Sequence, residues 1–410
     1  MKATASYLPD VSEVDHVLLL FSGGLDTSCM VKWIQARYEA KVSTLTIDLG
    51  GSQADLETTR EKALKLGAVE AYIIDAKETF ADHYVTRVIK ANGLYQGAYP
   101  LSTAIARYLK SELAVKTAEQ IGIRVIAHGS TGKGNDQIRF EASMLALNPE
   151  LKVFAPVREW EMSRDEELRY AQEQNIPIPS ENVAYSIDEN LWGRSIEAGV
   201  LEDPAVEPPQ DAFMRVRPVE EAPDTPTYVE IEFEGGVPVG LNGERLNLVT
   251  LIERLNTLAG EHGIGIIDMT EDRVVGIKSR EVYECPAAVT LIAAHRDLER
   301  YVSTIHTNQF KPLIDHQWTY FTYAGLWYDP LMDALNAFID QANARVSGTV
   351  RMKLYKGQAR VVGRTSEYAL YEHQLTTYEE GSSFNQRAAP GFVELWSLPT
   401  RMARRIAGPR

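Results

Sequence analysis

Residues 22–28 read SGGLDTS and follow directly on the apolar run HVLLLF at 16–21. Gly23 and Gly24 permit a tight turn and let the backbone come close to a ligand. Asp26, Thr27 and Ser28 then suit the cap of a helix, whose first N–H groups lack intrahelical partners and attract an anion. Strand, glycine turn and helix start together make a phosphate cradle. It is not a Walker loop, which needs GxxxxGK followed by Ser or Thr, and no lysine stands in that position. A second cluster, AHGSTGKGNDQIRFE at 127–141, is as dense in chemistry. Gly129, Gly132 and Gly134 let backbone amides approach a phosphate or carboxylate. Thr131, Asn135 and Asp136 offer donors and acceptors within one turn, and Arg139 offers a two-pronged fork for a carboxylate. Lys133 reads as a solvated loop lysine, and His128 as a hydrogen-bonded structural residue.

Both clusters need a scaffold that brings them together. Val17 to Phe21 suits a strand buried on both faces of a parallel sheet. Further strands are expected at 41–49, 69–76, 124–129 and 152–157, separated by amphipathic stretches such as 54–66 and 103–122. This alternation predicts a doubly wound parallel sheet with its ligands at the carboxyl ends of the strands. The loops after residues 21 and 129 then share one crevice.

The pattern changes near residue 180. Six prolines among many acids at 202–226 suit an extended excursion. YVEIEFE at 228–234 alternates, with Val229, Ile231 and Phe233 on one buried face. VRMKLYKGQARVVGR at 350–364 reads as a hairpin turning near Gly357. Helices fit 248–260 and 330–346, the latter with a stripe of Leu331, Ala334, Leu335, Phe338 and Ile339. These features predict a second, α+β domain. The C-terminal LWSLPTRMARRIAGPR is apolar and then basic, and Trp396 and Leu398 suit packing on a neighbouring subunit.

The length of 410 residues allows two or three domains, and 44% hydrophobic with 24% charged residues is the balance of a soluble globular chain. A net charge of −15 disfavours nonspecific nucleic-acid binding. Cys29 and Cys285 are the only cysteines, too few for a disulfide framework or a cysteine-rich zinc site, and Cys29 reads as a small buried hydrophobe. No signal peptide or membrane span is expected, so the location expected is cytoplasmic.

SGGLDTS resembles the pyrophosphate loop of ATP pyrophosphatases, which cut ATP between its α and β phosphates. Taken in order, SGGLDTS, YPLSTAIAR (99–107), HGSTGKGNDQIRFE, SIDENLWGRSIE (186–197) and GIKSREVYECP (276–286) resemble the argininosuccinate synthases from about residue 15 to the C-terminal tail. The resemblance implies a nucleotide-binding domain of the adenine nucleotide alpha hydrolase kind over 1–180. A synthetase domain would follow over 181–378, with a C-terminal oligomerisation arm over 379–410. It implies an ATP-dependent ligase of citrulline and aspartate that passes through a citrullyl-adenylate. ATP would lie on Leu20, Phe21, Ser22, Gly23, Gly24, Leu25, Asp26, Thr27, Ser28, Ile47 and Gly129, with Mg²⁺ carried by the nucleotide and no metal ligands of the protein's own. Aspartate would meet Thr131, Asn135 and Asp136. Citrulline would meet Tyr99, Asn135, Arg139, Ser186, Ser195, Glu271 and Tyr283. Asp136, Asp26 and Arg139 are the residues expected to act in catalysis, Asp136 by orienting the aspartate amine. A homotetramer without nucleic-acid or membrane partners is the assembly expected.

Three positions depart from the usual family pattern: Gly51, Ala104 and Tyr108. Ala104 stands where a serine often contacts citrulline, and Tyr108 where proline is usual. Both are expected near the amino-acid pocket. They leave open a paralogous ligase acting on a related ureido or carboxylate substrate, or a non-catalytic paralog.

Overall fold

The computed structural model describes residues 14–51, 56–160, 162–177 and 185–408. Its first half is built on β1 (His16–Leu20), whose Val17, Leu18 and Leu19 are fully buried. A run this apolar belongs at the centre of a sheet covered on both faces. There follow α1 (Leu25–Tyr38), β2 (Lys41–Asp48), α2 (Leu56–Lys65) and β3 (Glu70–Asp75). Short helices α3 (Lys77–Phe80) and α4 (Thr86–Lys90) flank a π-helical turn at Ala81–Val85. Then come α5 (Ser102–Ile121), β4 (Val125–Ala127), α6 (Asp136–Leu147), β5 (Lys152–Phe154), α7 (Val157–Trp160) and α8 (Arg164–Glu173). The five strands are parallel in the order β3-β2-β1-β4-β5. Successive strands run outward on both sides of β1, so the chain reverses between β1 and β4 and opens a crevice at their carboxyl ends.

β4 and β5 are shorter than their apolar runs suggest. Pro156 cannot extend a ladder, and its carbonyl instead accepts from Glu159 and Trp160 to start α7. The helix expected over 54–66 runs from Leu56 to Lys65; residues 54 and 55 lie outside the described residues.

The second half holds two antiparallel sheets. β6 (Ser186–Asn190) and β7 (Gly193–Glu197) pair with β11 (Ile266–Asp272) and β12 (Lys278–Glu284) in the order β11-β12-β7-β6. β8 (Thr227–Glu234), β9 (Val237–Leu241) and β10 (Glu244–Arg245) join β13 (Gly348–Tyr355) and β14 (Gln358–Thr365) in the order β10-β9-β8-β13-β14. Val229, Ile231 and Phe233 are buried on one face of β8, as their alternation predicts. The β13–β14 hairpin turns at Lys356 and Gly357, both at positive φ, as a tight two-residue turn requires.

The proline-rich excursion carries only 3₁₀ turns, at Gly199–Glu202, Gln210–Ala212 and Val219–Glu221. It is tied down by Glu284, which is fully buried. Glu284 accepts from the amides of Met214, Arg215 and Val216 and from Arg194 at 2.7 Å. Removing one member of such a buried pair costs about 3–5 kcal/mol.

Helices α9 (Leu248–Glu261), α10 (Pro286–Val302), α11 (Ile305–Tyr323) and α12 (Pro330–Asn343) complete this half. The buried stripe of α12 is Met332, Leu335, Ile339 and Asn343. Leu331 and Ala334 face solvent, and Phe338 packs edge-on against Phe310 at 5.6 Å. The expected stripe was thus turned part-way round the helix. Asn343 belongs inside because its amide meets His295 and the Lys90 carbonyl. After α13 (His373–Thr376), the chain ends in α14 (Ala389–Ala407), which buries none of its residues.

Candidate active site

The phosphate cradle forms as its residues dictate, with one correction. The helix starts at Leu25 and Gly24 is its N-cap, so Asp26, Thr27 and Ser28 lie inside the first turn rather than capping it. Thr27 Oγ1 sits 3.1 Å from Ser22 Oγ, and Ser28 Oγ donates to the Gly24 carbonyl at 2.6 Å. Phe21 and Leu25 bury their side chains, so only their backbone is left to face a ligand. Gly23 has φ +78°, and a Cβ there would stand 3.2 Å from the Thr59 methyl on α2. Asp26 is exposed in the first turn.

Lys62 on α2 donates to the Gly23 carbonyl at 2.7 Å. A cation thus reaches the loop from the next helix, where a Walker loop would carry its own. The amphipathic pattern of α2 gave no sign of this.

Gly129 follows β4, and a Cβ there would stand 3.2 Å from Met30 Cε and 3.6 Å from the Thr27 methyl. The two loops therefore meet at the switch point, and Ile47 lies partly buried near the end of β2 beside them. His128 is structural, as its residue type suggested. Its Nδ1 accepts from the Ser130 amide, so Nε2–H donates to Glu141 at 3.1 Å.

Further along this loop, Thr131 and Lys133 are exposed. Asn135 is buried at the N-cap position of α6, where its side chain makes no capping bond, and Asp136 is the first helical residue. Asp136 joins Arg107 of α5 at 2.7 Å and Arg139 at 2.8 Å, and Arg107 also holds Asp188 of β6. Burial opposes ionisation of Asp136, but the two guanidiniums override it and hold its carboxyl far below the usual carboxylate range. A carboxylate so stabilised stays ionised and is a poor base. Arg139 Nε donates to the Tyr323 carbonyl at 2.9 Å, and its guanidinium lies 4.8 Å from the Tyr323 ring centroid. Its Nη2 is buried and has no partner among the described residues. That nitrogen is the prong left for a carboxylate.

The β11-β12-β7-β6 sheet turns one face toward these groups. Asp188 pairs with Ser195, and Ser195 with Tyr283, so the three share a rung and a face. Glu271 pairs with Ser279 on the same face four rungs away. Ser195 Oγ donates to the Asp188 carbonyl at 3.4 Å. Ser186 is exposed at the start of β6 and lies at the rim. Glu271, although it stands in the charged string EDR, is buried. Tyr283 donates to one of its oxygens and Tyr323 to the other at 2.7 Å. Burial pushes its carboxyl up, while the two phenols pull it back.

Tyr99 stacks on Tyr283 with centroids 4.2 Å apart. Its hydroxyl accepts from the Thr103 and Ala104 amides at 3.0 and 3.1 Å and so caps α5, which the chain enters through Leu101 at φ +57°. The tip of the β11–β12 hairpin closes the loop from above. Arg273 donates to the Lys133 carbonyl and Val274 N–H to Asn135 Oδ1.

Sequence reasoning missed Lys62, Asp188, Arg273 and Tyr323. Asp188 lay within a motif already singled out; Tyr323 had no local signal. The departures also find reasons. Gly51 has φ +121°, and a Cβ there would stand 2.9 Å from Glu189 Cγ, where the β2 end is laced to the β6–β7 turn by Leu191 N–H donating to the Leu49 carbonyl. Tyr108 is a core residue, stacked 4.9 Å from Trp327 with its hydroxyl on the Thr322 carbonyl. It is therefore spent on packing α5 against α11 rather than on lining the pocket. Ala104 is fully buried on the same helix.

A parallel sheet with a phosphate cradle at its switch point, faced by a charged antiparallel sheet, defines a two-part α/β nucleotide-using enzyme. Comparison with known families gives the particular one. Residues 16–177 match the arginosuccinate synthase N-terminal HUP domain, and residues 185–403 the arginosuccinate synthase C-terminal domain. The chain is 53% identical to the argininosuccinate synthase of Pyrococcus furiosus, over 95% of this chain and 94% of the relative. It is 49% identical to that of Brevibacillus brevis, over 96% and 94%. With that of Symbiobacterium thermophilum it shares 51%, over 94% and 96%. The chain belongs to the argininosuccinate synthase family. Among the described residues no helix is long and apolar enough to cross a membrane.

Proposed function

We propose that this chain activates citrulline with ATP and joins it to aspartate, as a step of arginine biosynthesis in the cytoplasm. The ureido oxygen of citrulline attacks the α-phosphorus, and pyrophosphate leaves. The aspartate amine then attacks the ureido carbon of the adenylate, and AMP leaves with the bonding pair. ATP lies with its phosphates over Ser22–Ser28 and the start of α1, and with Gly129 and the Ile47 strand end beside the nucleoside. Thr131, Asn135 and Asp136 take aspartate. Tyr99, Asn135, Arg139, Ser186, Ser195, Glu271 and Tyr283 take citrulline, with the buried Nη2 of Arg139 for its carboxylate and Glu271 for its ammonium.

The observation that carries this reading is the path of the β4–α6 loop. It touches the phosphate-side helix at Gly129 and the second half of the molecule at Lys133 and Asn135. A nucleotide and two amino acids in one crevice then need mainly to be held in line. Such positioning contributes up to about 7–11 kcal/mol, and amides aimed at the phosphates stabilise the charge that develops. Asp136 holds and orients the amine; its strong ionisation suits it poorly to taking the proton.

Among the described residues no three His, Cys, Asp or Glu side chains gather as a metal cage. In this reading Mg²⁺ would enter with the nucleotide, held by phosphate oxygens and water. When bound, the ion neutralises charge on the departing pyrophosphate.

The same reading divides the chain near residues 180 and 378 and makes 379–410 an arm that joins subunits into a homotetramer. It is supported by α14, where Phe392, Leu395, Trp396 and Ile406 are all more than half exposed. A 19-residue helix with such a face gains its stability from a partner surface.

The test is pyrophosphate release from ATP with citrulline and aspartate, each omitted in turn. The complete mixture yields argininosuccinate and AMP. A mixture that yields none, while another ureido acid reacts, overturns the substrate assignment.

A further inference from the structure

The hydrogen bonds at the centre of the crevice run in one direction. Val274 N–H donates to Asn135 Oδ1 at 2.9 Å, Asn135 Nδ2 donates to Tyr323 Oη at 2.8 Å, and the Tyr323 hydroxyl donates to Glu271 Oε2 at 2.7 Å. The Tyr283 hydroxyl donates to the other Glu271 oxygen. A backbone amide can only donate and an ionised carboxylate can only accept. The Asn135 amide therefore cannot turn over without breaking bonds at both ends. One Nδ2–H and one Oδ1 lone pair of Asn135 remain for a ligand. The same tyrosine steadies Arg139 through its carbonyl and its ring. Its ring is itself stacked on Tyr95 at 3.4 Å.

We propose that Tyr323 is a positioning residue for the ligation: its hydroxyl ties the Asn135 amide to the Glu271 carboxylate and so couples the aspartate and citrulline subsites. This rests on the subsite assignment proposed above. Without the hydroxyl, Asn135 loses the acceptor that sets its amide, and Glu271 loses one of two donors that favour its charged form. The groups facing Glu271 are Tyr283 and Glu281 from β12, Arg139 from α6, Tyr95 and Tyr99 ahead of α5, and Tyr323 from α11. Only the last changes in the variant below.

The test is Tyr323→Phe, which keeps the ring stack, the contact with Arg139 and the backbone carbonyl. The expected result is a rise of about fivefold in KM for both citrulline and aspartate, the worth of one net hydrogen bond, with KM for ATP unchanged. The acid limb of kcat/KM for citrulline moves to higher pH, because Glu271 becomes harder to ionise. General loosening of the fold would not shift that limb selectively. Unchanged amino-acid KM values, or an unmoved acid limb, overturn the proposal. Asn135→Ala is measured alongside. If it alters neither KM, the subsite assignment itself fails. If it raises both while Tyr323→Phe raises neither, only the coupling fails. Should Tyr323→Phe lower the melting temperature, Glu271→Gln tests the same coupling with Tyr323 in place. A carboxamide cannot accept from both phenols through two oxygens, so the disturbance passes through Tyr323 to Asn135 and raises KM for aspartate as well as citrulline. A rise confined to citrulline overturns the proposal.

Discussion

Replacing Asp136 by asparagine separates the two half-reactions. In the native site Oδ2 receives Arg107 and Oδ1 receives Arg139, at 2.7 and 2.8 Å. Asparagine keeps one acceptor, turns an NH₂ toward the other guanidinium and removes the charge proposed to hold the aspartate ammonium. A hydrogen bond to a charged group is worth about 1.5–3 kcal/mol. Capture of the adenylate by aspartate therefore slows about 10- to 150-fold, at 1.4 kcal/mol per decade. Arg139 keeps the Tyr323 carbonyl and ring, so adenylation falls by less than about tenfold, one net hydrogen bond. Citrulline-dependent exchange of pyrophosphate into ATP, without aspartate, reads the first half-reaction. Rapid quench after adding aspartate reads the second. Stability falls too. The full loss for a buried pair is about 3–5 kcal/mol, but Asp136 is 30% exposed and Arg107 retains Asp188, so about 1–3 kcal/mol is expected. Its folded pKa lies below the unfolded value near 4, so the gap between wild type and variant is complete above about pH 4 and closes as pH falls further. Equal losses in both half-reactions, or a gap that widens on acidification, refute the reasoning.

Lys62→Met removes the cation on the Gly23 carbonyl. KM for ATP rises about tenfold with KM for citrulline unchanged, and steady-state kinetics showing an unaltered ATP KM rule out a role for Lys62 at the loop. Gly51→Ala places a side chain at φ +121° against Glu189 and costs about 1–3 kcal/mol. Its melting temperature falls further than that of Gly97→Ala, where positive φ meets open space. Deleting residues 389–410 lowers the mass measured by light scattering from that of the proposed tetramer to a smaller species. A tetramer that survives the deletion excludes α14 as the joining arm.

Much of the fold was legible because its signals are local. Val17–Leu19 could only be a central strand, and the strand-helix alternation to 173 left few alternatives to a parallel sheet. The alternation in β8 and the Lys356-Gly357 turn were equally plain. Reading failed where burial is decided by a distant partner. The α12 stripe was misread because Asn343 is buried by His295 and Lys90. Tyr108 was set beside the pocket, although Trp327 claims its ring. Helices α10 and α11 went unread, α11 among mixed polar and aromatic residues with Pro312 inside it.

For the site, the sequence by itself determined the chemistry on offer. SGGLDTS makes a phosphate cradle through its glycines and helix start, and Asn135, Asp136 and Arg139 bring an amide, a carboxylate and a guanidinium within two helical turns. Those properties follow from residue type and spacing, which act over a few residues. Only the tertiary structure decided what those groups are committed to. It set Asp136 between Arg107 and Arg139, buried Glu271 between two phenols, and brought Tyr323 across 188 residues of chain to Asn135. Ionisation and hydrogen-bond direction depend on the nearest charges and donors in space, and folding chooses those neighbours.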